Sequence, residues 1–413
     1  MSSQVRGLMK NSIRKELLRQ FMIYLDSAAS TRPSDGVAAF LGETLTTHSY
    51  YANPDSSHAA GMSADKLIEK ARAAIAAALG AQPSEIIFTS SGTESNNLAL
   101  FGTCELHKRR GSKIITSNAE HPAVYMPVKE LARRGFDVVY LPTRGGVINL
   151  DDLRAALDES VILVSVMAVN NETGAVYDIK KIAETIETVY KNADFKPYFH
   201  CDGVQAFGKI DINLNRIKAD MFSASAHKIH GIKGAGFLYL RKGVRIMPQI
   251  FGGLQERGLR SSTLNTPAIA AFGIAAEEIN IKGDHAIVSA LYDYAAEKLK
   301  GQCPSVTINA INSGDADANI LKYIISLRLP NVRSEVMLNY LSSRGIYISA
   351  GAACSSKNTD GPRHSQRVLT NHGLDSLSAD FTVRVSFSKY NTTAEIDAFV
   401  SALADGIAKL AVY

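Results

Sequence analysis

The stretch Val161-Ile162-Leu163-Val164-Ser165-Val166-Met167-Ala168-Val169-Asn170-Asn171-Glu172 decides the fold class. Its first part is apolar and rich in β-branched side chains, as expected of a parallel strand buried on both faces. It falls far short of the ~18–20 apolar residues that span a membrane, and no run in the chain is longer. It ends abruptly in two amides and a carboxylate. In an open α/β sheet, ligands bind beyond the carboxyl ends of the strands, so that ending marks a candidate site.

The same rhythm continues outward. Strands are expected at Glu85–Thr89, Lys113–Ser117, Asp137–Leu141, Tyr198–Asp202, Met221–Ser225 and Gly236–Leu240. Helices are expected between them at Lys66–Leu79, Glu94–His107, Tyr125–Arg134 and Asp178–Lys191, each from its apolar stripe. Alternation of this kind predicts an α/β layer with a mostly parallel sheet. After Pro267 the texture changes. Helices are expected at Ala268–Ile279, His285–Lys300 and Ala394–Ala408, with short strands at Ser326–Leu329, Tyr347–Ser349 and Thr382–Ser386. This part reads as a second, smaller α+β domain.

Charge and cysteines narrow the function. The 413 residues carry 45 basic and 40 acidic side chains, a net +5 that alone hints at nucleic acid. Most of it lies in a basic head, residues 1–21, where Arg6, Lys10, Arg14, Lys15 and Arg19 face Glu16 alone. The rest is close to neutral, so neither nucleic acid nor a membrane is expected as a partner. The head reads either as an organelle transit peptide or as a loosely ordered tail ahead of a start at Met22. The expected compartment is the cytoplasm, or an organelle matrix if the head is an address. Cys104, Cys201, Cys303 and Cys354 form no CxxC pair, and no metal site is expected. Signatures of nucleotide-phosphate loops, zinc proteases and serine hydrolases are absent.

Polar clusters close the strands. Ser90-Ser91-Gly92-Thr93-Glu94-Ser95 joins a strand to a helix and offers hydroxyls, backbone N–H groups and a helix dipole. It is either a phosphate cradle or an ordinary helix cap. His200-Cys201-Asp202-Gly203-Val204-Gln205 ends another strand. Asp202 there could cap the next helix or face a cationic ring nitrogen. Ser225-Ala226-His227-Lys228 places a lysine at the mouth of the same sheet. A desolvated lysine there can form a Schiff base, whereas an ordinary one would only be solvated. His121 could stack on a ring or be a turn histidine beside Pro122. Lysine, acidic partner and phosphate cup together match pyridoxal phosphate. Cys354 opens a stretch of Ser, Lys, Asn, Asp, Gly and Pro, surroundings that suit a reactive thiolate.

These strings, together with Ile23–Asp26, Gly252–Asn265, Gly351–Ser355 and Val383–Ser386, resemble the cysteine desulfurases of the NifS/IscS type. The resemblance runs from Met22 to about Phe399 and implies a fold-type-I pyridoxal-phosphate transferase. That means a large domain over 34–283 with a seven-stranded sheet, and a small one from 22–33 and 284–413. It gives Lys228 the Schiff-base role, Asp202 the ring nitrogen, and His121 the ring face and proton movement. Asn171 and Gln205 fall near the ring hydroxyl, with Asn171 also toward the substrate. Gly92, Thr93, Ser225 and His227 form the phosphate cup, completed by Thr263 of a second subunit. Arg384 clamps the carboxylate of L-cysteine, and Cys354 takes its sulfur as a persulfide. L-Alanine leaves, and the sulfur passes to an acceptor or iron–sulfur scaffold protein, for cluster assembly or tRNA thiolation.

The chain departs from the family in places. Ser91-Gly92 stands where Gly-Ala is usual, Ser262 where Gly is usual, and Lys357–Arg367 replaces a short link to Ser-His-Val-Leu. The alternatives on the same fold are a selenocysteine lyase and an aminotransferase-like enzyme, which does not need Cys354. A non-enzymatic regulator would need a DNA-binding domain that a 21-residue head does not provide. An idle scaffold would have lost Lys228, Asp202 or Cys354.

Overall fold

The structure, a computed structural model, describes residues 22–44, 51–309, 320–350 and 364–411. Thirteen strands lie in these residues. In chain order they are β1 (Ile23–Tyr24), β2 (Ile86–Thr89), β3 (Lys113–Ser117), β4 (Asp137–Leu141), β5 (Val161–Met167), β6 (Tyr198–Asp202) and β7 (Met221–Ser225). There follow β8 (Gly236–Leu240), β9 (Thr307–Ile308), β10 (Ile324–Arg328), β11 (Ile346–Tyr347), β12 (Ser349–Ala350) and β13 (Thr382–Ser386).

The main sheet has seven strands in the order β2-β8-β7-β6-β5-β3-β4. Its core pairs, β4–β3–β5–β6–β7, are parallel, and only β8 runs against its neighbours β7 and β2. All seven residues of β5 are buried, because helices cover both faces of the sheet. One hydrophobic cluster on each face holds it, with Ile68, Ile75, Phe207, Phe237 and Phe272 in the larger and Leu98, Val124, Val128 and Leu131 in the other.

The smaller sheet has the order β12-β13-β10-β9, and β1 pairs in parallel with β11 nearby. A backbone bridge from Asp26 to Ser386 ties the N-terminal segment to β13. Helices Ile281–Gln302 and Thr393–Leu410 pack on this part through Val288, Leu291, Phe399 and Leu403.

Helix starts differ from those expected, and capping explains why. The helix over Ala59–Leu79 begins upstream of Lys66, where the His58 ring accepts the Gly61 N–H. Helix Thr266–Glu277 runs across Pro267, since a proline suits the first turn and Asn265 caps it. Helices Asp35–Thr44, Leu150–Ala156, Ser334–Ser342 and His364–Asn371 lacked a signal long enough to stand out.

Candidate active site

The carboxyl ends of β5, β6 and β7 open into a cavity of about 330 Å³. Its lining includes Gly92, Thr93, His121, Asn171, Asp202, Gln205, Ser225, His227, Lys228 and Arg384. Strand ends far apart in sequence meet because parallel strands in register finish at one edge. Met167 pairs with Asp202, and Asp202 with Ser223. Alternation sends Asp202 to the cavity and leaves Cys201 wholly buried in the core.

Asp202 sits on the cavity floor, 5% exposed. The Val204 N–H donates to its Oδ1 at 3.0 Å, and the Asn96 amide to its Oδ2 at 2.7 Å. Burial raises its carboxyl above the usual range, against the pull of these bonds and of Lys228. The floor therefore holds a carboxylate that gains from a cationic partner.

The same cavity is lined by the start of helix Gly92–His107, where Ser91 accepts the Glu94 N–H as N-cap. Backbone N–H groups and the dipole make this end a natural anion site. A Cβ at position 92 would come within 2.6 Å of Val204 Cγ2. The glycine thus lets the helix start pack against the turn after Asp202, where the family usually has alanine.

Lys228 follows β7 in a short 3-10 turn, Ala226–Lys228. Its Nζ donates to the carbonyls of Ala28 at 2.6 Å and Ala29 at 2.9 Å. His227 Nδ1 lies 3.2 Å from Ser30 Oγ, and burial lowers this ring to about 4. His121 caps helix Pro122–Arg133, and its Nδ1 accepts the Ala123 N–H at 3.1 Å. Burial, then Lys228, Arg384 and Arg367, lower His121 to about 4. The ring is therefore neutral near pH 7, with its proton assigned to Nε2.

Arg384 arrives from β13 in the other sheet. It donates to the Asn171 carbonyl at 2.9 Å and to Asp26 Oδ1 at 3.0 Å, with Glu172 Oε1 3.5 Å away. Two anchored ends fix the guanidinium plane, and a guanidinium held this way can meet a carboxylate in bidentate fashion. Asn171 Oδ1 is buried and has no hydrogen-bond partner among the described residues. An orphaned acceptor in a polar cavity implies that a ligand donor belongs there.

These features fit pyridoxal phosphate: a carboxylate for the ring nitrogen, a helix start with Ser225 and His227 for the phosphate, and Lys228 for the aldehyde. Cys354 lies outside the described residues. Ser349 and Ala350, on the cavity wall, end only four residues before it. Thr263 is exposed and lines no part of this chain's own cavity. Asn96, Asp26 and Lys209 carry no site role from sequence, and Glu172 enters there only as part of the polar ending of the Val161 stretch. Asn96 follows Gly92 by one helical turn, a spacing that could have found it. Asp26 is brought to Arg384 only by the fold.

The loop ahead of Thr263 is strained, with positive φ at Leu254, Glu256, Arg257 and Ser262, the last at 130°. Side chains other than glycine resist such φ values. Ser262→Gly is expected to stabilise the protein by about 1 kcal/mol, read as a higher melting temperature. An unchanged or lower midpoint would count against strain at this residue.

Comparison with known proteins gives a consistent set. The aminotransferase class-V family profile matches residues 23–399. The chain is 38% identical over 396 residues to "Cysteine desulfurase IscS" of Vibrio cholerae serotype O1, covering 94% of this chain and 93% of that one. It is 37% identical to "Cysteine desulfurase, mitochondrial" of Candida maltosa, covering 92% of this chain and 76% of the relative. Among solved structures, a NifS-like protein superposes with TM-score 0.85 at 36% identity, covering 94% and 100% of the two chains. SspA in complex with cysteine superposes with TM-score 0.76 at 33% identity, covering 90% and 100%.

Proposed function

The chain belongs to the aminotransferase class-V family, among its cysteine desulfurases, and from that premise we propose how its residues divide the work. The enzyme depends on pyridoxal phosphate and acts on L-cysteine. One observation carries the assignment. Lys228, Asp202, Arg384 and the start of helix Gly92–His107 come from separate elements and line one cavity.

Bound there, pyridoxal phosphate supplies an aldehyde for an amine and a protonated ring that draws electrons from the substrate. Asp202 would hold the ring nitrogen. Gly92, Thr93, Ser225 and His227 would hold the phosphate, with Asn171 and Gln205 near the ring hydroxyl. Arg384 would take the carboxylate of L-cysteine and so orient its sulfur. His121, neutral and with Nδ1 engaged, offers a ring face and an Nε2 proton. The amine of Lys228, which lines the same cavity, would be the group placed to carry protons to and from the substrate. The Cys354 thiolate attacks the substrate sulfur, so an S–S bond forms as the C–S bond breaks. The electron pair stays with carbon, which takes a proton to give alanine. The sulfur is oxidised to the persulfide level as the carbon is reduced.

The large domain would span 34–283, and the small one 22–33 with 284–413. A homodimer is supported by Phe251 and Leu254, 78% and 75% exposed beside the strained loop. Such apolar exposure marks a contact surface, and it lies near Thr263, which would complete the partner's phosphate cup. The persulfide would pass to an acceptor thiol, with an iron–sulfur scaffold favoured by the likeness to IscS proteins. The cytoplasm is the proposed compartment. Relatives include both bacterial proteins and one whose name places it in mitochondria.

Purified protein given L-cysteine and a thiol reductant is expected to release alanine and sulfide in equal amounts, and to sediment as a dimer. Pyruvate and ammonia in place of alanine would refute the desulfurase chemistry. An active monomer would refute the role of Thr263.

A further inference from the structure

Lys209 is buried directly behind the cavity wall, and the chemistry above makes no use of it. We propose that Lys209 is a positioning residue that fixes the Gln205 amide with its NH₂ toward the cavity, making that wall a hydrogen-bond donor to an anionic ring oxygen. This rests on the reading that Gln205 meets the cofactor's ring oxygen.

The geometry is specific. Lys209 Nζ donates to Gln205 Oε1 at 2.8 Å, and Gln205 Nε2 donates to the Ala28 carbonyl at 2.8 Å. Rotating the amide by half a turn would set Nε2 against the lysine nitrogen and Oε1 against the Ala28 oxygen. Two donors and two acceptors would then face each other in a buried site, losing both bonds. One orientation therefore survives. In it, the remaining polar hydrogen of the Gln205 side chain is the second N–H of Nε2, on a residue that lines the cavity. The Ala28 carbonyl also receives Lys228 Nζ, so the amide and the lysine amine share one anchor.

Lys209 is an expensive choice for mere packing. It is 7% exposed, and among the described residues its Nζ donates to the neutral Gln205 Oε1 rather than to a carboxylate. Burial, followed by the charges of Lys228 and Arg384, lowers its amine to about 7. A lysine held at that cost against a neutral partner needs a task other than filling space. Holding one amide end, four residues back along the turn after Asp202, supplies it.

A double-mutant cycle in the cofactor-loaded enzyme tests this. The readouts are the visible absorption band of the bound cofactor and its dissociation constant on reconstitution. Lys209→Met is expected to shift the band and weaken cofactor binding roughly 2- to 10-fold in the wild-type background. In a Gln205→Leu background the same change should shift neither readout further. Equal shifts in both backgrounds would mean a structural role independent of Gln205, and would overturn the proposal. So would a normal band in Lys209→Met beside a shifted one in Gln205→Leu. A normal band in Gln205→Leu itself would show that the ring contact is wrong, and the proposal falls with it. Should Lys209→Met fail to fold, Lys209→Leu carries the same cycle.

Discussion

Cys354→Ser is expected to lose desulfuration of L-cysteine on the order of 10³-fold or more, with cofactor and fold intact. The argument combines reach with elimination. Ala350 lies on the cavity wall, and the four residues from it to Cys354 can span at most about 14 Å. The other thiols are poor substitutes. Cys104, Cys201 and Cys303 are all buried, and burial raises each of their thiol pKa values. They are held as neutral S–H, while attack on sulfur needs a thiolate. A hydroxyl at position 354 keeps the shape and removes the nucleophile. Mass spectrometry of the wild type after L-cysteine should show one added sulfur on the peptide holding Cys354, absent from the variant. Normal turnover in Cys354→Ser would end the assignment.

Asp202→Asn is expected to move activity and stability in opposite directions. Turnover should fall roughly 10²–10³-fold, because the carboxylate that faces the ring nitrogen is lost from a buried site. The cofactor-free protein should melt higher. Burial raises the Asp202 carboxyl above its ordinary value, so its ionised form weakens the fold. The stability tied to a raised acid is present at low pH and is lost as pH rises. The gap between variant and wild type should therefore widen as pH climbs above the ordinary carboxylate value. Packing permits the change. Val204 N–H can still donate to the remaining oxygen, and Asn96 can turn its partnerless Oδ1 toward the new NH₂. A variant that melts lower at neutral pH, or that keeps full turnover, would refute the account.

Much of the fold was legible because its signals are local. Strands β3, β4, β6, β7, β8 and β13 have the bounds expected from sequence, each an apolar run closed by polar residues. Strand β5 ends at Met167 rather than Val169, since β6 stops at Asp202, the register partner of Met167. The helices that escaped notice are mostly short, such as Leu150–Ala156, where a weak stripe and one Asn149 cap give little signal. The site was legible where it lies on strand ends, because a parallel sheet gathers those ends at one edge. Asp202, Ser225 and Lys228 belong to that class. Arg384 was reached only through the family resemblance, since its strand belongs to the other sheet.

By itself, the sequence determined which chemical groups are present and which strand ends must carry them. Period-two burial and abrupt polar endings are properties of neighbouring residues, and neighbours are what a sequence displays. The tertiary structure alone decided how those groups are tuned. Asp26 and Arg384 meet across 358 positions of chain. His121 is made neutral by burial and by cations from three other segments. The orientation of Gln205 depends on Lys209 on one side and Ala28 on the other. Each effect depends on distance and on the exclusion of water, and neither exists until the chain has closed around the cavity.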